Sequence, residues 1–144
     1  MKKLYVSAFS YLIAALVSGV AFREITKYSG VFESTALGKV HGHLMTLGFI
    51  MFLIFIIFEK TVQLSAHKQF NLFFILYHVG VIMATVLMLV RGIVSIMVAK
   101  GTMSLSSGLD SAISGMAGLG HIILSIAFIL FMIILKKALI TKNV

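Results

Sequence analysis

Cysteine is absent from the 144 residues, and only four residues are acidic. Without cysteine, the chain forms no disulfide, no thiolate-bound zinc or iron–sulfur site, and no thiolate or thioether link to haem. The sequence also has no Ser/His/Asp constellation, no P-loop, no glycine-rich dinucleotide motif and no acidic metal cluster. These absences leave hydrolase and nucleotide-driven transporter functions without residues to perform them.

Hydrophobic residues make up 60% of the chain, which has no proline and a mean hydropathy of +1.13. A soluble domain of this size cannot keep so much apolar surface out of water, so the composition indicates a membrane protein. The formal net charge is +8, although only 11% of the residues are charged. We assign the excess of lysine and arginine to membrane flanks, and expect no nucleic-acid partner.

Four apolar stretches are each long enough to cross a bilayer, which takes about 20 residues of helix. They are Leu4–Ile25, Leu37–Phe58, Phe70–Val98 and Leu109–Leu135. The connections between them are short and polar, and no small-residue cleavage site marks the first stretch as a signal peptide. We therefore predict an all-α fold with a single four-helix transmembrane domain over residues 1–144.

Lysine and arginine predict the orientation of these helices in the membrane. One side carries seven lysines and the other carries four basic residues, with Arg91 inside the third stretch. The larger group is Lys2, Lys3, Lys60, Lys68, Lys136, Lys137 and Lys142, and the smaller group is Arg23, Lys27, Lys39 and Lys100. This imbalance predicts that both termini are cytoplasmic and that the second stretch begins near the outer surface.

A histidine pair, His41-Gly42-His43, lies near the start of the second stretch. Residues two apart on a helix are rotated by roughly 200°, so the two rings point to nearly opposite faces. One interpretation is that each ring hydrogen-bonds a carbonyl or hydroxyl between helices. The pair favours the other interpretation, a metal or haem role, because imidazoles in a membrane are costly. Zinc and copper need clustered ligands, whereas haem needs one imidazole on each axial face.

The remaining histidines fit a ligand role less well. His78 is nearer the cytoplasm on the third stretch, at the wrong depth to share a haem with His41 or His43. His121, on the fourth stretch, could approach the outer region and is the reserve ligand. We expect His78 and His121 to be hydrogen-bonding partners between helices, and His67 to lie in a solvated loop.

Basic residues and a glycine complete the candidate cofactor site. Arg91 lies deep enough in the third stretch to need an anionic or carbonyl partner, and Arg23 ends the first stretch. Haem propionates would supply the negative charge, with Lys39 as a weaker third contact. The alternative interpretation of Arg23 is an anchor whose charged group snorkels to the membrane surface. Gly42 fits either close helix packing or room for a flat macrocycle.

The first two stretches resemble the first two helices of haem–copper oxidase subunit I, a superfamily that includes nitric oxide reductase. The resemblance covers residues 15–58 and rests on Phe22-Arg23-Glu24 and on Val40-His41-Gly42-His43 before a Phe/Met/Ile-rich run. In that superfamily the first helix ends in an Ile-Arg-x-Glu-like segment, and the second begins with a His-Ala or His-Gly ligand step. A His-x-His step on its tenth helix ligates two different haems. The chain is also similar to small bacterial four-helix membrane proteins of unassigned function.

The resemblance implies a homotrimer. The oxidase core consists of three arcs of four helices, and this chain resembles one such arc. Three copies would rebuild the twelve-helix core, with His41 of each subunit in one cleft and His43 in the next. The implied protein holds haem b (iron protoporphyrin IX) between two histidines at each subunit interface. Its implied location is the bacterial cytoplasmic (inner) membrane.

Departures from the oxidase pattern limit the function that the resemblance implies. Nothing in the chain matches the oxidase's copper-binding histidines, and two axial imidazoles leave the iron no open position. We therefore expect no oxygen reduction and no enzyme activity. Electron transfer with an unidentified redox partner, haem storage or redox sensing fits better. The alternative is a haem-free membrane protein: a scaffold, an accessory subunit or a small transporter.

Overall fold

Four long helices make up the fold in the computed structural model, which describes residues 1–142. They are α1 (Lys2–Ser29), α2 (Leu37–Val62), α3 (Phe70–Ala99) and α4 (Ser107–Lys142). Each is long and apolar enough to cross a bilayer. The prediction of an all-α chain with four transmembrane helices is confirmed. Asn143 and Val144, at the end of the predicted 1–144 domain, lie outside the described residues.

The observed helices extend beyond the apolar stretches that predicted them. α2 and α3 begin at the predicted residues, whereas α1 continues to Ser29 and α4 to Lys142. Hydropathy falls where polar side chains begin, but the backbone hydrogen bonds of a helix continue through such residues. α1 ends at Gly30, whose left-handed conformation (φ 69°) lets its N–H bond the Thr26 carbonyl at 3.1 Å.

Helices that are neighbours in the sequence pack against each other: α1 on α2, α2 on α3, and α3 on α4. The α3–α4 contact is the most extensive, and the C-terminal part of α2 also reaches α4. The start of α1, the α2–α3 connection and the end of α4 lie together, as the shared core residues Leu4, Leu64 and Ala138 show. We call this the terminal end and the opposite one the far end.

Two glycines of α3 permit close helix crossings. A Cβ atom on Gly80 would lie 2.9 Å from the backbone of Leu124 in α4. A Cβ atom on Gly92 would lie 2.5 Å from the backbone nitrogen of Leu37 at the start of α2. Small residues let transmembrane backbones approach each other, so these glycines fix where α3 meets its neighbours.

Aromatic rings form the core of the terminal half. The side chain of Phe55 is fully buried, and its ring centroid lies 5.1 Å from that of Phe73, 5.1 Å from that of Tyr77 and 5.0 Å from that of Phe131. Most of these pairs are edge-to-face or tilted, the geometries that the ring quadrupoles favour. The cluster joins α2, α3 and α4 into one packed unit.

The buried acid Glu59 fixes the α2–α3 connection. Its carboxylate accepts a hydrogen bond from the Ser65 backbone N–H at 2.8 Å and a second one from the Ser65 hydroxyl. Gln63, between them, adopts the left-handed conformation (φ 52°) that ends α2. Glu59 therefore has a structural role at the terminal end.

Candidate functional site

His41 turns its ring toward α1 within its own chain. Its Nδ1 lies 2.7 Å from the carbonyl oxygen of Ala15, and the ring packs so closely on α1 that a Cβ atom on Gly19 would lie 3.0 Å from Nδ1. A carbonyl only accepts, so Nδ1 carries the proton and donates it. The tautomer is therefore fixed, and the lone pair of the ring is on Nε2.

His43 turns to a different neighbour. Its Nδ1 donates to the Lys39 carbonyl, one turn earlier on α2, at 3.0 Å. Its ring lines an open groove of about 340 Å³ together with Gly42, Thr46 and Leu47. Its lone pair is on Nε2, as in His41. Among the described residues, neither His41 Nε2 nor His43 Nε2 makes a hydrogen bond.

These two rings have the state that a metal-binding imidazole needs. Metal-ligating histidines usually donate the second ring N–H to a carbonyl or carboxylate, which fixes the tautomer and orients the ring. His41 and His43 both meet that condition through backbone carbonyls. Gly42 between them leaves open space, because an added Cβ atom would meet nothing within 4 Å. Each ring therefore presents an Nε2 lone pair of the kind that binds a haem iron, and the backbone between the rings is uncrowded.

A π-helical segment follows the histidine pair directly. Residues Leu44–Ile50 are π-helical, and the Met51 N–H bonds the Thr46 carbonyl five residues earlier. Such segments are rare and are frequently found at functional sites. The Tyr77 hydroxyl donates to the Leu47 carbonyl at 2.8 Å and thus holds the segment from α3.

Close packing against α1 also holds this segment. A Cβ atom on Gly48 would lie only 2.6 Å from Cγ of Tyr11, so the Tyr11 ring lies directly against the α2 backbone. Apolar periodicity does not reveal a π-helical turn. The contacts that Tyr11, Tyr77 and the Ala15 carbonyl make with this part of α2 were not predicted from the sequence either. Gly48 is a sequence signal for the close contact with α1, whereas the π-helical turn itself has no sequence signature.

The other histidines occupy different environments. His78 bonds Ser7 and Tyr11 of α1, which makes it an interhelical partner as predicted. His121 differs from that prediction, because its Nδ1 donates to Ala117 of its own helix at 2.8 Å and the side chain is exposed. His121 Nε2 therefore keeps its lone pair, so the residue is still competent as a ligand. His67 lies in the α2–α3 connection.

Arg91 has an anionic partner inside the chain. Its guanidinium donates to the carboxylate of Asp110 at the start of α4, so this pair joins the far ends of α3 and α4. The two side chains are 35% and 44% exposed, so water still reaches both. The expected need of Arg91 for a negative charge is thus met without a propionate.

The two other basic candidates are open to solvent. The side chain of Arg23 is 80% exposed, and its nearest acid, Glu24, is 3.9 Å away. Lys39 is exposed and contacts the site only through its carbonyl, which accepts from His43. Arg23 is therefore freer than Arg91 to meet an added anion.

A metal site of three or more ligands does not occur among residues 1–142, where no such group of His, Asp and Glu side chains comes together. The histidine pair and reserve His121 therefore offer single imidazoles to different directions.

Fold and site together define a class: an all-α, multi-pass membrane protein with paired imidazoles near one membrane surface. A family model described as "Protein of unknown function (DUF2871)" matches residues 1–138, so the chain belongs to the DUF2871 family. No curated protein matches the chain. No solved structure matches it.

Proposed function

We propose that this protein binds haem b through His41 and His43, with each haem held between two subunits of a homotrimer. The observation that supports the proposal best is the shared state of the two rings. Each donates its Nδ1 proton to a backbone carbonyl, and each keeps the Nε2 lone pair that binds iron. Two such rings, two residues apart in a membrane helix, are costly unless they serve a ligand.

The two ligands of one iron come from different subunits in this proposal. His41 lies against α1, whereas His43 lines an open groove, so the rings of one chain serve two different sites. A closed ring of subunits satisfies both, because each chain offers His41 to one interface and His43 to the next. The resemblance to one four-helix arc of haem–copper oxidase subunit I favours three subunits.

The basic residues at the far end face the propionates in this proposal. Arg23 is the main candidate, because its guanidinium is exposed and held only by a long contact with Glu24. Arg91 is the weaker candidate, because its guanidinium already pairs with Asp110 and would have to share that charge with a propionate. Lys39 lies beside the groove, where its carbonyl accepts from His43. Guanidinium groups bind carboxylates by paired hydrogen bonds.

Bound haem would supply one-electron redox chemistry. With both axial positions filled, we infer electron transfer with a redox partner, or redox or haem sensing, in preference to an enzyme activity. We place the protein in the bacterial cytoplasmic membrane with both termini cytoplasmic, because lysine is concentrated at the terminal end.

The experiment that tests the proposal is a haem count per chain on protein purified from haem-sufficient cells. We expect one haem b per chain, a reduced spectrum that is low-spin, and little response to carbon monoxide. His41→Ala and His43→Ala should each abolish haem binding, whereas His67→Ala, the matched control in the α2–α3 connection, should keep it. The mass of the complex should be that of a trimer.

Several results would contradict parts of this proposal. A colourless protein would favour the alternative of a haem-free scaffold, accessory subunit or small transporter. A normal low-spin haem in either His41→Ala or His43→Ala would make the pairing wrong, and His121 would be the next ligand to test. A haem-replete monomer would exclude the interfacial site, and a stable dimer would exclude the oxidase-like trimer.

A further inference from the structure

His78 is a titratable side chain held inside the helix bundle, away from the proposed ligands. Both ring nitrogens bond α1: Nε2 lies 3.1 Å from the Ser7 hydroxyl and Nδ1 lies 2.7 Å from the Tyr11 hydroxyl. The ring also stacks on Tyr11 at 5.4 Å, lies tilted against Phe52 at 5.0 Å and packs edge-to-face with Phe74 at 4.5 Å. An ionisable residue inside a membrane is costly and usually functional.

The proton positions in this cluster follow from its hydrogen bonds. The Ser7 hydroxyl donates to the Lys3 carbonyl at 2.9 Å, so it can only accept from His78. Nε2 of His78 therefore carries the ring proton. Nδ1 keeps a lone pair and accepts from the Tyr11 hydroxyl. The single basic atom of the cluster is thus Nδ1 of His78.

The groups that face His78 are neutral. α1 presents the Ser7 and Tyr11 hydroxyls, and the Lys3 carbonyl behind them; α2 presents the Phe52 ring; α3 itself presents Phe74. Tyr11 is the one titratable neighbour. Among the described residues, no Asp, Glu, Lys or Arg side chain bonds His78. No hydrogen-bonded charge among the described residues therefore fixes the protonation state of the ring.

One stripe of α1 connects this cluster with the ligand His41. Ser7, Tyr11 and Ala15 follow at intervals of four residues and are all buried. His78 bonds the first two, and His41 bonds the carbonyl of the third. His78 and His41 therefore contact α1 one helical turn apart, at Tyr11 and at Ala15. The same stretch of α1 thus links the two imidazoles, and in a low-dielectric interior a change of charge at one is screened less than it would be in water.

We propose that His78 is a redox-linked proton-binding site, where Nδ1 takes up one proton from solvent when the haem bound at His41 gains one electron. The protonated ring then donates to Ser7 from Nε2 and to the Tyr11 oxygen from Nδ1. The electron comes from an external one-electron donor and the proton from water, so charge balances within the bundle. This inference rests on the proposed haem at His41.

The first test needs no haem chemistry. Nitrogen NMR of the histidine side chains, on diamagnetic protein in micelles, should show His78 with a protonated Nε2 and an unprotonated Nδ1. Tyr11→Phe keeps the ring and should shift the Nδ1 signal alone, whereas Ser7→Ala should shift the Nε2 signal alone. A protonated Nδ1 in the neutral ring, or unmoved signals in both variants, would overturn the site.

The second test is the haem midpoint potential as a function of pH. The reduced form binds the extra proton, so the potential should fall as pH rises in the unmodified protein. His78→Phe, which fits among aromatic neighbours, should remove this dependence, and Tyr11→Phe should shift it to lower pH. His67→Gln, in the α2–α3 connection, should behave like the unmodified protein.

The outcomes separate this inference from the proposed function. A His78→Phe protein that binds haem and keeps the same pH dependence overturns the redox link and leaves the haem assignment intact. If His78→Phe does not fold, an unchanged pH dependence in Tyr11→Phe overturns the link instead. A colourless protein overturns the proposed function and the link together, while the NMR result still decides whether the proton site exists.

Discussion

Polar side chains in the two halves of the bundle differ in how fully they are hydrogen-bonded. In the terminal half, the hydrogen-bonding groups of Tyr77, His78 and Glu59 are paired inside a dense aromatic core. In the far half, His41 and His43 each keep one free ring nitrogen, and the groove beside His43 is open. A satisfied polar group stabilises a fold, whereas an unsatisfied one is available to a ligand.

This contrast separates the part of the molecule that folds it from the part that we assign to function. Aromatic packing is concentrated in the terminal half, where α2, α3 and α4 meet. In the far half the helices are held together by close crossings at glycines and by the Arg91–Asp110 ion pair. The predictions below test whether stability and ligand binding divide in this way.

The largest loss of stability is expected from Phe55→Ala in the terminal core. The side chain is 0% exposed and contacts rings on three helices, so its removal leaves a cavity. Substitutions of this kind cost about 3–5 kcal/mol in proteins. The free energy of unfolding in mixed micelles measures the loss. Phe32→Ala, at a side chain 79% exposed, is the control. A loss no greater than that of the control would show that the core is elsewhere.

A smaller loss is expected when the Arg91–Asp110 pair is broken at the far end. Because both side chains are partly exposed, we expect Arg91→Leu to cost about 1–2 kcal/mol, below the value for a fully buried pair. Asp110→Asn and the double variant complete a thermodynamic cycle. The coupling free energy from that cycle should account for most of the stability that each single variant loses. We also expect a shift in haem retention or midpoint potential in Arg91→Leu.

If Arg91→Leu leaves occupancy and potential unchanged while the cycle shows coupling, Arg91 pairs only with Asp110. Arg23→Gln then becomes the decisive variant for the propionates, since the Arg23 side chain is exposed and its contact with Glu24 is long. An unchanged haem in both variants would contradict the proposed propionate contacts.

The sequence predicts the four helices because each is a long apolar run between polar connections, and that signal is local. It also predicts that His41 and His43 diverge, because helix geometry alone fixes the angle between residues two apart. Their neighbours depend on which helices pack together, which one sequence does not reveal. The Ala15 carbonyl is a backbone atom with no sequence signature, and the π-helical turn at Leu44–Ile50 has none either.

For Arg91, the sequence predicts that a partner is needed but does not identify the partner. Its depth in α3 correctly indicates that it needs a partner. Asp110 was one of the few acids on that side of the sequence, but only the crossing of α3 and α4 brings the two together. Sequence reasoning thus identifies the need for a contact, while tertiary packing decides which group supplies it.

Tyr77→Phe should have a moderate effect on stability. It removes the hydroxyl that donates to the Leu47 carbonyl and keeps the ring in the aromatic core. Loss of one buried hydrogen bond is typically worth about 1 kcal/mol. Unfolding in mixed micelles measures it, with Tyr28→Phe at an 81% exposed side chain as the control. If the two variants are equally stable, the hydroxyl does not hold the π-helical segment.

The sharpest test of the comparison comes from two glycines of α2, of which Gly42 should have the smallest effect on stability of all the substitutions. Gly48→Ala would place Cβ 2.6 Å from Cγ of Tyr11, so the helices must shift apart, which typically costs about 1–3 kcal/mol. Gly42→Ala meets nothing within 4 Å and gains helix propensity, so stability should stay unchanged or rise by up to about 1 kcal/mol.

Gly42→Ala should lower haem content although it does not lower stability. If the macrocycle lies in the open space beside His43, the Gly42→Ala methyl group occupies part of it, and haem per chain should fall although the protein remains as stable as before. Paired measurements of unfolding and haem content on both glycine variants check this. Full haem content in a stable Gly42→Ala protein would show that the space beside Gly42 is not the haem site, because a flat ring in van der Waals contact with that backbone leaves no room for the added carbon.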